Sequence, residues 1–402
     1  MNHGINALLD RARKVRAELT LPTDAKTEAR RDSRATEPRD PGIAASVEAA
    51  LDWIGAAQDH SASRDGGIAR HYSLVAGWGA SYPETSGYIV PTLLRGQPGR
   101  PTAPHRERAR AVLNWLVAIQ LPGGGFQGGM IGQTPVVPVT FNTGQILIGL
   151  ASGVAELGDT YRASMRGAAD WLVSTQDADG AWRRNPTPFA EAGEKSYETH
   201  VAWGLFEAAR VDPDRGYGEA ASRNIRWALT KQRPNAWFAD NCLTDPARPL
   251  THTIGYALRG LIEGYRFSGD QEFLDAALRT ANGAMSALAP NGFLPGRLRR
   301  DWSGAAQWAC LTGSVQLAHC WLMLYQITGN AKFRDAARKA NAYVRSRVRV
   351  TGAPEVRGGV KGSFPVDGEY GQFEYLNWAC KFFIDANILE QEIGAPAARA
   401  GA

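Results

Sequence analysis

Residues 142–155 read NTGQILIGLASGVA, a threonine-led run of small and apolar residues that carries no charge. A helix that is apolar nearly all round is buried on every side. Threonine is a favoured helix N-cap, so Thr143 predicts where this buried helix starts. Similar runs begin at five further positions, at intervals of 54 to 65 residues: Thr85, Thr199, Thr253, Thr312 and, more loosely, Asn377. Repetition on this scale indicates that one supersecondary unit occurs six times.

A second series of helices alternates with the buried ones. Residues 106–120, RERARAVLNWLVAIQ, are polar at their start and then carry apolar residues on one face, and residues 162–176 behave alike. Such helices expose one face to solvent. The alternation predicts an outer ring of helices around an inner ring. An open stack of pairs would share this signature, but helices as apolar as the inner ones would not line an open concave face. We therefore predict an all-α fold, an (α/α)6 toroid of six helical hairpins over residues 43–392.

The two ends of the chain fall outside the repeat. Residues 5–19 predict a basic amphipathic helix. Residues 20–41 are charged and poor in large apolar residues, which predicts a flexible arm. Residues 1–42 are thus interpreted as a basic N-terminal helix and arm, and residues 393–402 as a disordered tail.

Composition narrows the class of protein further. The net charge of +5 and the pI near 9.0 are mild, and no nucleic-acid motif is present. There is no run of 18 apolar residues, which argues against a transmembrane segment. The first 20 residues lack the apolar core of a secretory signal, and four cysteines fit a reducing compartment, so we expect a cytoplasmic protein.

We expect neither a cofactor nor a metal ion. No P-loop or dinucleotide-binding pattern is present. The segment Asp240-Asn241-Cys242 has a distant histidine, His319, but His319 falls inside an apolar run. The oligomeric state stays open.

Candidate catalytic residues come from the geometry of a closed ring. The residues just before the inner-helix starts would converge on one mouth, together with the positive ends of the helix dipoles. Glu84 and Glu198 occupy two of these positions, and paired carboxylates are what acid–base cleavage of a glycosidic bond requires. His252 occupies another, where the dipole favours the neutral imidazole of a general base. A capping carboxylate or a hydrogen-bonded core histidine would explain the same residues without function.

Candidate substrate contacts centre on residues 70–88, RHYSLVAGWGASYPETSGY, the densest polar and aromatic segment. Rings and hydroxyls together suit a sugar, whose CH groups stack on aromatics while its hydroxyls need hydrogen bonds. A glycine-rich loop over residues 358–365 offers a wall or lid, and its lysine could hold an acidic group. The predicted contacts are His71, Tyr72, Trp78, Tyr82, Tyr88, Asn142, Gln145, Tyr197, His200, Tyr256, Trp302, Trp308, Lys361, Tyr370 and Trp378.

Several motifs resemble those of known toroids. The endings Trp115–Gln120 and Trp171–Gln176, each followed by glycine and an aromatic, resemble the repeats of squalene-cyclase-type proteins. Residues 328–337, TGNAKFRDAA, are similar to the outer-helix starts of N-acylglucosamine 2-epimerase-like and unsaturated glucuronyl hydrolase-like proteins. More weakly, the chain resembles the terpenoid cyclase and prenyltransferase toroids. The acidic motif of the terpenoid cyclases is missing, as is the zinc set of the prenyltransferases. The resemblance covers residues 43 to 390 and implies the fold.

These observations favour a carbohydrate-active enzyme that acts on a bacterial polysaccharide or oligosaccharide. The first hypothesis is a glycoside hydrolase that uses Glu84 and Glu198 as acid and base on a saccharide, possibly an acidic one. The second is a uronate C5-epimerase or polysaccharide lyase, in which Tyr82 or His252 removes a proton while Lys361 or Arg70 binds the carboxylate. A non-catalytic glycan-binding protein is the third hypothesis. A terpenoid cyclase is the most distant one.

Overall fold

The computed structural model describes residues 20–34, 39–99, 102–189 and 193–394. Within these residues, helix α1 (Thr23–Arg34) is followed by six helical hairpins. The hairpins are α2 (Ile43–Asp59) with α3 (Pro83–Arg95), α4 (Ala103–Ile119) with α5 (Thr140–Leu157), α6 (Arg162–Thr175) with α7 (Thr199–Val211), α8 (Tyr217–Leu229) with α9 (Thr251–Ser268), α10 (Gln271–Met285) with α11 (Leu311–Thr328), and α12 (Ala331–Arg345) with α13 (Asn377–Gly394). None of the described helices is long and apolar enough to cross a membrane. The helix predicted over residues 5–19 and residues 395–402 of the predicted tail lie outside the described part of the chain.

The second helix of each hairpin belongs to an inner ring that closes on itself. Each inner helix packs against the next, and the last one, α13, packs against α2 and α3 of the first hairpin. Short strands reinforce this closure. Strand β1 (His71–Ser73) pairs with β2 (Gly77–Trp78) and also, across the chain ends, with β5 (Glu374–Leu376). Strands β3 (Ala309–Cys310) and β4 (Ser363–Phe364) form a second pair. The predicted (α/α)6 toroid is therefore confirmed.

The glutamine–glycine pattern of the sequence explains how neighbouring hairpins are joined. The Gln120 side chain at the end of α4 donates to the carbonyl of Gly124 and to that of Ser164 in the next outer helix. Gln176 repeats this arrangement one hairpin later, with Gly180 and Ala220. Each side chain thus satisfies two carbonyl groups and links its hairpin to the next.

Glycines allow the close approach of inner helices. A Cβ atom at Gly87 in α3 would lie 2.5 Å from the Cα atom of Ile146 in α5, and one at Gly144 would lie 2.6 Å from the Cγ1 atom of Val201 in α7. Real Cβ atoms do not approach other atoms so closely, so larger residues would push the ring apart. The small residues in the apolar runs therefore serve ring closure.

The repeated threonines do not cap the inner helices, contrary to the prediction. The N-caps of α3, α5 and α9 are Tyr82, Val139 and Leu250, so the threonines lie within the first turn. There their hydroxyls bond to neighbouring segments. Thr143 accepts from the backbone N–H of Phe126, and Thr253 donates to the carbonyl of Asn241. The threonines anchor the preceding loops to the inner ring.

The predicted flexible arm is wrong for residues 23–34, which form helix α1. This helix docks on the loop before α13 through two buried carboxylates. The Lys361 ammonium lies 2.5 Å from Glu28 Oε1 and 2.5 Å from Asp32 Oδ1, and the backbone N–H of Val366 donates to Asp32 at 2.8 Å. Lys361 is 3% exposed. It therefore anchors α1 and does not reach the mouth, in contrast to the prediction that it binds an acidic group of the substrate.

Candidate active site

A cavity of about 400 Å³ opens at the N-terminal ends of the inner helices, and we call it the mouth cavity. Five hairpins contribute a residue from the first turn of the inner helix or from the short turn that precedes it: Glu84, Asn142, Tyr197, His252 and Trp378. The N-termini of these inner helices therefore point to the same end of the ring, as the closed toroid predicts. The mouth cavity is lined by Arg70, Tyr82, Glu84, Thr85, Tyr88, Gly129, Met130, Gln133, Phe141, Asn142, Thr187, Phe189, Tyr197, Leu243, His252, Thr253, Tyr256, Tyr370 and Trp378.

Among the described residues, Glu84 is the only carboxylic acid that lines the mouth cavity. The residue is 8% exposed, and the hydroxyl of Tyr82 donates to its Oε2 atom at 2.7 Å. Burial raises the pKa of Glu84 to about 7, while the Tyr82 hydrogen bond and the nearby charge of Arg70 oppose the rise. Desolvation disfavours the charged form and is here the largest effect. At neutral pH Glu84 is thus poised to give or take a proton.

The pKa of His252, a second titratable residue of the mouth cavity, is also strongly shifted. Burial lowers its pKa to about 4, so the imidazole is neutral at pH 7. Its Nδ1 atom lies 2.7 Å from the side-chain oxygen of Gln316 on α11. With this oxygen as the acceptor, Nδ1 carries the proton and Nε2 keeps its lone pair. The arrangement is suited to a general base whose orientation is fixed by a second residue.

Aromatic side chains connect these two groups along one wall. The indole N–H of Trp378 donates to the Tyr370 hydroxyl at 2.8 Å, and the Tyr370 ring lies 5.4 Å from that of His252. On the other side, the rings of Tyr82 and Trp378 are 6.2 Å apart. This wall offers both ring faces and hydroxyl groups to a ligand, as sugar recognition requires.

Arg70 brings positive charge to the same wall. Its guanidinium lies 5.1 Å above the ring of Trp378 and donates to Glu374 at 2.8 Å. Arg70 was expected from the sequence only as an alternative carboxylate ligand, and the structure places it at the mouth cavity. Its fixed position makes it a candidate contact for an anionic group.

Half of the residues predicted for the site line the mouth cavity. They are Glu84, His252, Tyr82, Tyr88, Asn142, Tyr197, Tyr256, Tyr370 and Trp378. The predicted residues that do not line it are Glu198, His71, Tyr72, Trp78, Gln145, His200, Trp302, Trp308 and Lys361.

Glu198 is the most consequential of these differences. It ends a short 3-10 turn (Ser196–Glu198) before α7, and its side chain is buried with no hydrogen-bond partner for Oε2 among the described residues. Burial holds the pKa of Glu198 well above its ordinary range. The extra turn shifts the equivalent ring position, so that Tyr197 faces the cavity in its place. The predicted Glu84–Glu198 pair is therefore not formed at the mouth.

The other differences have packing explanations. His200 lies one turn below the cavity and contacts Gln145, whose side-chain oxygen is 2.5 Å from its Nδ1 atom. Trp302 packs on Trp237, with ring centroids 5.1 Å apart. Trp308 packs with Leu250 and Cys310 in a small apolar cluster.

The remaining three belong to the segment around β1. The Trp78 ring lies 5.1 Å from that of Tyr72 and 5.3 Å from that of Trp53 in α2. His71 lies 3.7 Å from a carboxylate oxygen of Glu374. The ring contacts pack the first hairpin internally, while His71 and the pairing of Tyr72 with Tyr375 join it to the last hairpin.

Two long loops between outer and inner helices supply further cavity residues that were not predicted from the sequence. Gly129, Met130 and Gln133 come from the loop between α4 and α5, and Thr187 and Phe189 from the loop between α6 and α7. The unusual length of these loops was the signal available in the sequence, because connections of this size are often functional. In the part of the chain that is described, no group of three or more His, Cys, Asp or Glu residues is arranged to hold a metal ion.

Comparisons with solved structures agree on this architecture. An unsaturated glucuronyl hydrolase specific for heparin superimposes with a TM-score of 0.68 at 15% identity, covering 87% of this chain and 96% of the other. Cellobiose 2-epimerase from Bacillus thermoamylovorans gives 0.66 at 12% identity, covering 86% and 96%. D-mannose isomerase gives 0.66 at 11% identity, covering 86% and 97%. The chain thus has the fold of (α/α)6 toroids whose members include carbohydrate-active enzymes.

Comparison by sequence gives a shorter match. The family model of the squalene-hopene cyclase C-terminal domain matches residues 100–260, which is less than half of the chain. This region contains the Trp–Gln endings that resemble squalene-cyclase-type repeats. No curated protein sequence matches the chain significantly.

Proposed function

We propose that this protein is a carbohydrate-active enzyme that transfers protons on a sugar bound in the mouth cavity. The observation that carries the proposal is the pairing, in one cavity, of a buried carboxyl group with a pKa near 7 and a neutral, oriented imidazole. Titratable groups whose environments drive their pKa values apart are suited to acid and base roles. The carbohydrate-active enzymes among the structural neighbours support the substrate class.

The reaction we favour is epimerisation or elimination next to a carboxylate, which is the second hypothesis from the sequence. His252 Nε2 removes the proton on the carbon beside the carboxylate. Glu84 delivers a proton, to the opposite face of that carbon in an epimerase or to the leaving oxygen in a lyase. Arg70 binds the carboxylate and stabilises the negative charge that develops as the proton leaves. A volume of about 400 Å³ suits a sugar of one or two rings rather than a long polymer segment.

Hydrolysis of a glycosidic bond is the second candidate. A buried carboxyl group with a raised pKa, such as Glu84, is what protonation of a glycosidic oxygen needs. Hydrolases of the usual kind also need a second carboxylate across the cleft. Among the described residues Glu84 is without such a partner at the cavity, which is why we place proton transfer first.

The test is proton NMR of the protein with acidic and neutral oligosaccharides in deuterated water. Exchange of the ring proton beside a carboxylate, without cleavage, supports an epimerase, and olefinic signals support a lyase. New reducing-end signals alone would favour hydrolysis. Glu84→Gln and His252→Gln should each abolish the exchange while ligand binding persists. Binding without any chemical change in all sugars tested would refute an enzymatic role and favour a glycan-binding protein.

The compartment stays a proposal as well. The four cysteines are unpaired and buried. This supports the expectation of a reducing, cytoplasmic environment.

A further inference from the structure

A second cavity, of about 380 Å³, lies at the opposite end of the inner ring, and we call it the base cavity. Five inner helices contribute to it, with Thr92 of α3, Trp203 of α7, Arg259 of α9, His319 of α11 and Lys381 of α13. In the four whose hairpins also supply the mouth cavity, the residue at the base comes later in the chain than the residue at the mouth. The base cavity therefore surrounds the same axis as the mouth cavity, but it lies on the far side of the ring.

The base cavity contains charges that are unusually buried. Lys381 is 1% exposed, and the Arg259 side chain is 11% exposed. Basic residues often lie at the C-terminal ends of helices, where the helix dipole favours them, but that effect is confined to the last turn. Arg259 and Lys381 lie more than two turns from the C-terminal ends of α9 and α13. The dipole therefore does not account for their burial, and burial of a cation is costly without compensation.

The acidic residues nearby are already satisfied by protein partners. Glu263 lies 2.8 Å from Arg259 Nε and 3.1 Å from Arg266. Asp385 accepts from Lys381 at 2.8 Å and from Thr92, also at 2.8 Å. These carboxylates account for some of the donors of the two buried cations, and contacts of Arg259 with the ring of Trp203 and of Lys381 with the ring of Phe382 also offset their burial.

Three nitrogen groups retain donor capacity at the cavity. Arg259 uses Nε for Glu263 and NH1 for His319 Nδ1 at 3.3 Å, and its NH2 group has no partner among the described residues. Because His319 Nδ1 accepts from a guanidinium, its proton must lie on Nε2, which also lacks a partner within the described chain. The Lys381 ammonium has three donors and one hydrogen-bond acceptor, Asp385. The Arg259 guanidinium stacks 4.0 Å from the ring centroid of Trp203, which fixes its direction.

From this arrangement we infer that the base cavity is a binding site for a small oxyanion group, a phosphate or a carboxylate, held by Arg259, Lys381 and His319. The oxygens of such a group accept the donors that the protein leaves unsatisfied. The site is separate from the proposed catalytic centre. His200 lies between the two, with its ring 5.0 Å from that of Trp203 at the base and 4.3 Å from that of Tyr256 at the mouth.

The first experiment locates the anion directly. Crystals of the full chain are soaked in selenate, and an anomalous difference map is calculated. We expect a peak between Arg259, Lys381 and His319. Absence of a peak there, or a peak only beside Arg70 at the mouth, would overturn the inference.

The second experiment is titration calorimetry with inorganic phosphate and, separately, with acetate. Arg259→Met removes the guanidinium, including its contact with the Trp203 ring, and leaves Glu263 paired with Arg266; it should weaken binding at least tenfold. Arg300→Met alters an exposed arginine and should leave binding unchanged. Preference for phosphate or acetate identifies the group. If neither phosphate nor acetate binds, the inference is wrong. It is also wrong if binding survives in Arg259→Met and is lost in Arg70→Met, because the anion then binds at the mouth cavity. Neither result depends on whether the mouth cavity is catalytic.

Discussion

The burial of Glu84 in the mouth cavity predicts that this residue makes the folded protein less stable at pH 8 than at pH 4.5. The carboxyl group has a pKa of about 7 in the folded protein and 4.5 as its ordinary value. Because the folded state binds this proton more tightly, stability falls as the pH rises from 4.5 to 7 and then stays lowered. The difference corresponds to about 3 kcal/mol at pH 8. A substitution that removes the charge of Glu84 should recover most of this free energy of unfolding.

The perturbation is Glu84→Gln, which preserves the shape of the side chain and an oxygen that can accept from Tyr82. We expect the variant to melt roughly 4 °C above the wild type at pH 8, from the usual entropy of unfolding for a chain of this size. At pH 4.5 the two melting temperatures should nearly coincide. The assay is thermal unfolding followed by circular dichroism at both pH values. Glu219→Gln, on an exposed carboxylate, is the matched control and should show no such dependence on pH. An equal change at both pH values, or destabilisation at pH 8, would refute the reasoning.

Three further predictions test other parts of the structure. Tyr82→Phe removes the hydrogen bond that lowers the pKa of Glu84, so the pKa of Glu84 should rise by about one unit. The measurement is 13C NMR titration of labelled glutamate, and a fall in this pKa would contradict the role given to Tyr82. Gln316→Leu deprives His252 Nδ1 of its acceptor and should reduce turnover by roughly 10- to 100-fold, while the Kd for the sugar stays similar. An equal loss of binding would indicate that Gln316 has a structural role instead. Lys361→Met leaves Asp32 buried without its cation and Glu28 with Arg349 as its remaining partner. It should destabilise the docking of α1 by roughly 3 kcal/mol, seen as faster proteolysis within residues 23–34. Unchanged proteolysis would show that the ion pairs of Lys361 contribute little.

The repeat and the fold followed from the sequence because they depend on local patterns. Uncharged runs such as residues 142–155 can only be buried, and amphipathic runs such as residues 106–120 can only be half-buried, so their alternation specifies two rings. The period of the repeat fixed the number of hairpins. The positions of Glu84 and His252 at the mouth followed as well, since the N-termini of parallel inner helices meet at one end of a closed ring.

The ring position did not determine which neighbouring side chain faces the cavity. A single 3-10 turn before α7 places Tyr197 at the mouth and buries Glu198, and no pattern in the sequence reports this rotation. Lys361 was assigned to the substrate because its partners, Glu28 and Asp32, lie more than 300 residues away in the chain. The base cavity was not predicted at all, since its cations are spread over several helices.

The sequence by itself determined the six helical hairpins and which of their helices form the inner ring, because burial of apolar residues at a fixed period is a local property of the chain. Only the tertiary structure decided the chemistry of the site. Glu84 acquires its raised pKa from burial among residues of several hairpins, and His252 acquires its orientation from Gln316, 64 residues further along the chain. Desolvation and hydrogen-bond geometry depend on atoms that are distant in sequence, and they exist only once the ring has closed.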